Sequence, residues 1–212
     1  MVSDQRRYGV RDLLVRARRE QIIEGATWVF ARKGFSRATT REVARAAGVS
    51  EGTIFNYFEN KDALLMAILE RLNETQRRAE DFEEGMDTDF RGFLTEYLRQ
   101  RMSLMWENRE VFRVLLSEML VNAELRERYL RRVVEPTMGI AEENFRLRME
   151  QGEVREIDAP LAMRSVAGTV LGVLVLGLLG DEEIGSRMDE VSDVLAGLLI
   201  HGLDTTKGDR HE

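Results

Sequence analysis

Residues 36–69 read SRATTREVARAAGVSEGTIFNYFENKDALLMAIL, and the fold turns on this stretch. Thr39 followed three residues later by Glu42 is a capping box, in which the hydroxyl and the carboxylate each accept from an orphan N–H at a helix start. A short helix is therefore expected to begin at Thr40. Val43, Ala44 and Ala47 give it a small apolar face, Gly48 permits a tight reversal, and Val49 is placed to plug the core beneath the turn. Ser50 caps a second short helix with Ile54 and Phe58 as its buried positions. Asn60 caps a third, in which Leu64, Leu65, Ile68 and Leu72 keep helical spacing. A small helix, a glycine turn and a second small helix set the second across the first, so that its outer face fits a DNA major groove about 12 Å wide.

Working outward, the preceding segment reads as a helix over about 12–33. Its apolar face is Ile22, Ile23, Ala26, Val29 and Phe30, and Gly34 ends it. Downstream, apolar residues recur at three- and four-residue intervals and no segment alternates like a strand. Breaks are expected at Gly85–Thr88 and at Asn108, between helices of about 89–107 and 109–120. A long helix of about 123–150 should be kinked by Pro136, which removes a backbone donor, and Gly152 ends it. Asp158 and Pro160 then stand as the cap and a first-turn residue of another helix. The expected fold is all-α. A three-helix helix-turn-helix domain occupies residues 1–62, and a helical ligand-binding and dimerisation domain occupies residues 63–212.

Charge separates the same two parts. Residues 1–62 hold 12 Lys and Arg against 8 Asp and Glu, whereas the remaining residues hold 19 against 30. A polyanion can be met only by the basic N-terminal part, with the acidic remainder facing away. There are no cysteines, and this fits a reducing cytoplasm. No export signal is read at the start of the chain, and His201 and His211 are too few to suggest a metal site. The longest uncharged stretch, Ser165 to Gly180, holds 16 residues, four of them glycine. That is short of the roughly 20 apolar residues a membrane helix needs, so a buried interface helix is expected and no membrane partner. Catalysis is not expected either: there is no cysteine nucleophile, no Glu-x-x-His pair and no glycine-rich phosphate loop, and no cofactor is implied.

The run GFSRATTREVARAAGVSEGTIFNYFENKDAL resembles the DNA-binding domain of the TetR (tetracycline repressor) family, with the likeness extending from about Ile22 to Leu69. The glycine and aromatic at 34–35, the threonine pair, the AGVS turn, the Tyr57–Phe58 pair and the Asn60–Lys61 helix start all fall in register. The resemblance implies that Thr40 and Lys61 bind phosphates flanking the groove, while Ser50, Glu51, Gly52, Thr53, Asn56 and Tyr57 face the bases and nearby backbone. Arg41 is a further candidate contact. Two positions depart from the commoner pattern. Phe55 replaces a tyrosine, loses the phenolic hydrogen bond and reads as a packing residue. Glu51 places a carboxylate near DNA, either to accept from a cytosine amino group or to favour its own helix N-terminus. The arginines at 6, 7, 11, 16, 18 and 19 read equally as a DNA-reaching arm or as a solvated one.

Beyond residue 62, soft and aromatic side chains line amphipathic helices. Arg101, Met102, Met105, Trp106, Phe112, Met119, Tyr129 and Phe145 are the candidates for a small-molecule effector site, which would suit a hydrophobic or amphipathic compound. Arg101 falls on an inward face, so it needs an anion, either an acidic ligand or an internal carboxylate such as Glu118. For a homodimer interface the candidates are Gly168, Gly172 and Val175 on the glycine-rich helix, with Met188, Val191, Leu195 and Leu198 on the last helix. The functional expectation is a ligand-responsive regulator, a repressor by the resemblance, that binds a palindromic double-stranded DNA operator as a homodimer. A ligand-binding or scaffold protein with a degenerate helix-turn-helix is the alternative.

Overall fold

The computed structural model describes residues 2–203; His211 and the side chains of Arg6 and Arg7 lie outside what is described. Among the described residues every regular element is helical. In order they are α1 (Val2–Lys33), α2 (Thr40–Ala46), α3 (Glu51–Phe55), α4 (Lys61–Asn73), α5 (Thr75–Glu84), α6 (Phe90–Glu107), α7 (Arg109–Val121), α8 (Ala123–Tyr129), α9 (Glu135–Glu150), α10 (Ala159–Leu178), α11 (Glu182–Ser186) and α12 (Met188–Leu203). A 3-10 turn, Gly85–Asp87, precedes α6, and a π turn, Leu130–Val134, precedes α9.

The chain divides into two compact units. Among the described residues, one runs up to Leu72 and adds Glu110–Tyr129; the other holds Asn73–Arg109 and the residues from Leu130 to Leu203. In the first unit, Ile22, Ile23, Ala26, Val29 and Phe30 of α1 are buried with Val43 and Ala44 of α2, Ile54 of α3 and the apolar run Leu64–Leu69 of α4. Gly25 lets α1 and α2 cross at contact distance, since a Cβ there would stand 2.8 Å from the Cβ of Ala47. Gly48 supplies the reversal at φ 63°, a left-handed conformation that costs glycine nothing. All the expected caps form: Thr39 and Glu42 bond each other's backbone N–H at 3.3 and 3.2 Å, Ser50 accepts from Thr53 N–H at 3.1 Å, and Asn60 accepts from Ala63 N–H at 2.8 Å. The Lys33 ammonium donates to the Glu42 carboxylate as well, and that bond, with the Thr39 N–H, holds the Glu42 pKa below its ordinary value.

In the second unit α6 packs along α12 through Leu94, Leu98, Ala196 and Ile200, and further down through Met102, Met188 and Leu195. On the other side α9 packs on α5 and α10 through Phe82, Phe93 and Ala141 and through Phe145, Val154 and Ala159. Asp158 caps α10 by accepting from Leu161 N–H at 2.8 Å.

Two expectations change in detail. The first helix does not start at about residue 12 but runs back to Val2, as the arginine-rich segment before it holds no glycine or proline that would end a helix beyond Gly9. The kink at Pro136 takes the form of the π turn: proline lacks the N–H that would close the preceding turn, and the chain widens just before it.

Candidate nucleic-acid interface

The capped pair α2 and α3 builds the site. Ile54 and Phe58 anchor α3 inward at 1% and 5% exposure, and the Arg19 guanidinium stacks over the Phe58 ring at 5.3 Å. At 100° per residue this leaves Gly52 and Asn56 at the outward centre of α3, with Thr53 and Tyr57 on one flank and Glu51 and Phe55 on the other. Gly52 and Asn56 are exposed, and Thr53, Tyr57 and Glu51 are half-buried. On α2, Arg41 and Arg45 stand four residues apart and both face solvent, a cationic strip beside the reading surface. The residues expected to face DNA are thus brought onto one surface, with Ser50 at the cap between α2 and α3.

Five of the DNA-contact candidates also bond within the chain itself. The Thr40 hydroxyl donates to the Glu51 carboxylate at 2.5 Å, so Glu51 ties the start of α2 to the start of α3. Neither sequence reading of Glu51 included this partner, which lies eleven residues away. The Ser50 and Thr53 hydroxyls are 2.7 Å apart. Lys61 donates to three backbone carbonyls, Phe35 at 2.7 Å, Ala38 at 3.1 Å and Ser36 at 3.4 Å, and its ammonium lies 4.3 Å from the Phe35 ring centroid. These bonds tie Lys61 to the turn between α1 and α2, where the Phe35 carbonyl also accepts from Ala38 N–H at 3.2 Å. We expect Lys61→Met to lower the stability of the chain by about 1–3 kcal/mol through the lost bonds to that turn, as measured by urea unfolding. If Lys61 also reaches a phosphate, the salt slope of DNA affinity should fall by about 0.9 in the same variant.

Phe55 is not a buried packing residue. It is 53% exposed, the reverse of the packing role its residue type suggested. Apolar character alone could not reveal this; the helical phase relative to Ile54 and Phe58 could.

The expected effector residues are divided between the two compact units. Met102 and Trp106 belong to the cluster with Met188 and Leu195, the Trp106 ring lying against Gly177; half-buried Met105 is on the same helix. Phe145 is buried in the cluster with Val154 and Ala159. Phe112, Met119 and Tyr129 belong to the other compact unit. Arg101 is mostly buried, but its anion is Glu74 at 3.3 Å; Glu118 instead accepts from Ser36 in the other unit. Burial, and then the neighbouring Arg78, lower the Arg101 pKa. Glu74 is the described non-glycine residue with positive φ, at 50°, so the ion pair holds the strained joint between α4 and α5. A surface cleft of about 330 Å³ in the second unit is lined by Asp81, Glu84 and Glu96 around Phe93 and Tyr97, none of them among the expected effector residues.

For the dimer candidates the structure makes a division. Gly168 and Gly172 are open, with nothing within 4 Å of an added Cβ, and Val175 is half-buried. Leu161, Ser165, Gly168, Gly172, Leu176 and Leu179 make one exposed stripe along and just past α10. On α12, however, Met188 and Leu195 are buried against Met102 of the same chain, with Val191 packed on that cluster. The outward residues are Val194 and Leu198, at 62% and 69% exposure, with His201. Of the residues expected in a seam, Met188, Val191 and Leu195 thus face α6 of the same chain, and Leu198 alone faces outward, beside Val194 and His201. By length and composition α10 also suffices to cross a membrane.

Comparison with known proteins agrees with this geometry. A family model described as bacterial regulatory proteins, tetR family, matches residues 22–68. The chain is 25% identical over 187 residues to the fatty acid metabolism regulator protein of Bacillus subtilis, covering 86% of this chain and 94% of that one. It is 44% identical over 63 residues to an HTH-type transcriptional repressor of Mycobacterium tuberculosis, a match that spans 30% of this chain and 33% of that repressor. Among solved structures, the transcriptional regulator FadR from Bacillus subtilis in complex with stearoyl-CoA superposes with a TM-score of 0.74 at 24% identity, covering 86% of this chain and 98% of that one.

Proposed function

We propose, from the premise that the chain belongs to the TetR family of bacterial regulatory proteins, that it is a transcriptional repressor released from DNA by a small hydrophobic or amphipathic effector. The observation that carries this reading is the pair of capped short helices around Gly48, which presents Gly52, Asn56 and the flanking Thr53 and Tyr57 beside the cationic strip of α2. Ser50, Thr40, Arg41 and Lys61 complete the contacts, and Glu51 acts by holding Thr40. The intact caps weigh against a degenerate helix-turn-helix. Residues 1–62 bind DNA, and residues 63–212 bind the effector and the second subunit. The protein acts in the cytoplasm by binding, without catalysis.

The open stripe on α10 and the outward side of α12 form a four-helix interface with a second copy, so that two recognition helices meet a palindromic operator in successive major-groove faces. An acyl chain or its thioester is the effector class that the relatives favour, since one is named for fatty acid metabolism and the structural neighbour holds stearoyl-CoA. Binding acts through α4, which ends at the joint held by Arg101 and Glu74, and resets the separation of the two reading helices. A coupling of about 1–3 kcal/mol gives a 5- to 150-fold loss of operator affinity. Selection of bound sequences from a random DNA pool tests the reading: a palindromic motif is expected with the native protein and none with Asn56→Ala/Tyr57→Ala. An absence of any enrichment at low salt refutes it.

A further inference from the structure

We propose that Phe55 reads the C5-methyl group of thymine in each operator half-site. The inference rests on the DNA-binding reading above and names one base-specific contact within it. The buried residues here are Ile54 in α3 and Phe58 three residues past its end, with Phe58 further covered by Arg19, and Phe55 is not among them. Phe55 is 53% exposed, and with a ring that presents ~150–250 Å² when fully accessible, roughly half of that apolar surface remains in water. It stands one helical turn after Glu51, on the flank of α3 that Glu51 ties to Thr40, so its backbone is held rather than free to swing. Arg41 and Arg45 on the solvent face of α2 carry the charge that draws a phosphate backbone toward this edge.

What such a ring can recognise in a major groove is narrow. Guanine, adenine and cytosine present donors and acceptors there, and thymine adds the one methyl group. Phenylalanine has no hydroxyl, so it can neither donate to a phosphate nor satisfy a base edge by hydrogen bonding. Apolar contact with the methyl is the gain open to it, and burying the ring against a base edge without that methyl would leave polar groups uncovered.

The test uses the operator recovered by random-pool selection. Each thymine is replaced in turn by deoxyuridine, which removes the methyl and nothing else, and affinity is measured for the native protein and for Phe55→Ala. One thymine per half-site is expected at which uracil weakens native binding about fourfold, the value of one buried methyl. In Phe55→Ala that penalty should vanish while the melting temperature falls far less than in Ile54→Ala, because Phe55 is not one of the buried core residues. Phe55→Leu should retain part of it. If no thymine is sensitive to loss of its methyl, or if the penalty persists in Phe55→Ala, the contact does not exist although the protein still reads DNA. A protein that selects no DNA at all overturns the regulator reading itself, and this contact with it.

Discussion

Arg148→Met is expected to lower stability by about 3 kcal/mol, and to do so without touching either the DNA-reading surface or the exposed dimer stripe. Arg148 is 0% exposed. Its guanidinium donates to the Gly85 carbonyl at 2.5 Å, to the Thr88 carbonyl at 3.2 Å, to Asn144 Oδ1 at 3.3 Å and to the Glu153 carboxylate at 2.5 Å. The rings of Phe90 and Phe93 flank it at 5.6 and 5.0 Å. One side chain of α9 thus fixes both ends of the turn between α5 and α6 and the segment after α9. Methionine conserves much of the volume, so packing is retained and the loss isolates the polar network. Removing one partner of a buried pair typically costs about 3–5 kcal/mol. The lower figure applies because Glu153 keeps 33% of its side-chain exposure and can turn to water. Urea unfolding followed by circular dichroism measures the change. A loss under about 1 kcal/mol would mean that water replaces the guanidinium at the two carbonyls and that the network is not what closes the turn.

The contrast between Arg148 and the helix-turn-helix indicates what a sequence makes legible. Capping is chemistry between residues three apart, and a glycine reversal is local backbone chemistry, so Thr39, Glu42, Gly48, Ser50 and Asn60 could be assigned from the sequence and take the expected roles. Partners distant in sequence are another matter. The anion of Arg101 is 27 residues away at Glu74, and the loop closed by Lys61 lies 23 to 26 residues upstream. Arg148 carried a signal that went unread: it shares the face of Ala141, Asn144 and Phe145 on α9, all buried, and a cation on an apolar stripe must have acceptors waiting. The phase of α12 failed for a different reason. Leu195 and Leu198 are both apolar and three residues apart, so the pattern alone could not say which of them faces Met102 and which faces outward. Apart from Arg101, which its helical register marks as inward, the effector candidates rest on soft or aromatic character on amphipathic helices, and that does not decide which compact unit a side chain joins.

Introducing like charges on the outward stripe should have the largest functional effect. In Gly172→Glu/Leu198→Glu, both substituted positions are exposed, and nothing stands within 4 Å of an added Cβ at Gly172, so the fold of the single chain has no reason to change. In a two-fold interface the same patch is used by both subunits, so the two substitutions put four carboxylates of like charge into one desolvated interface. Sedimentation is expected to show a dimer for the native protein and a monomer for the variant, with the helical circular dichroism spectrum intact. Operator affinity should fall at least about 100-fold, because two reading heads then bind independently and the effective concentration that links them is lost. A single half-site should be bound as well by the variant as by the native protein, which separates loss of pairing from damage to α3. If the variant remains dimeric, the apolar stripe of α10 is covered by something other than a second copy, and the spacing of the reading heads has to be set by another surface.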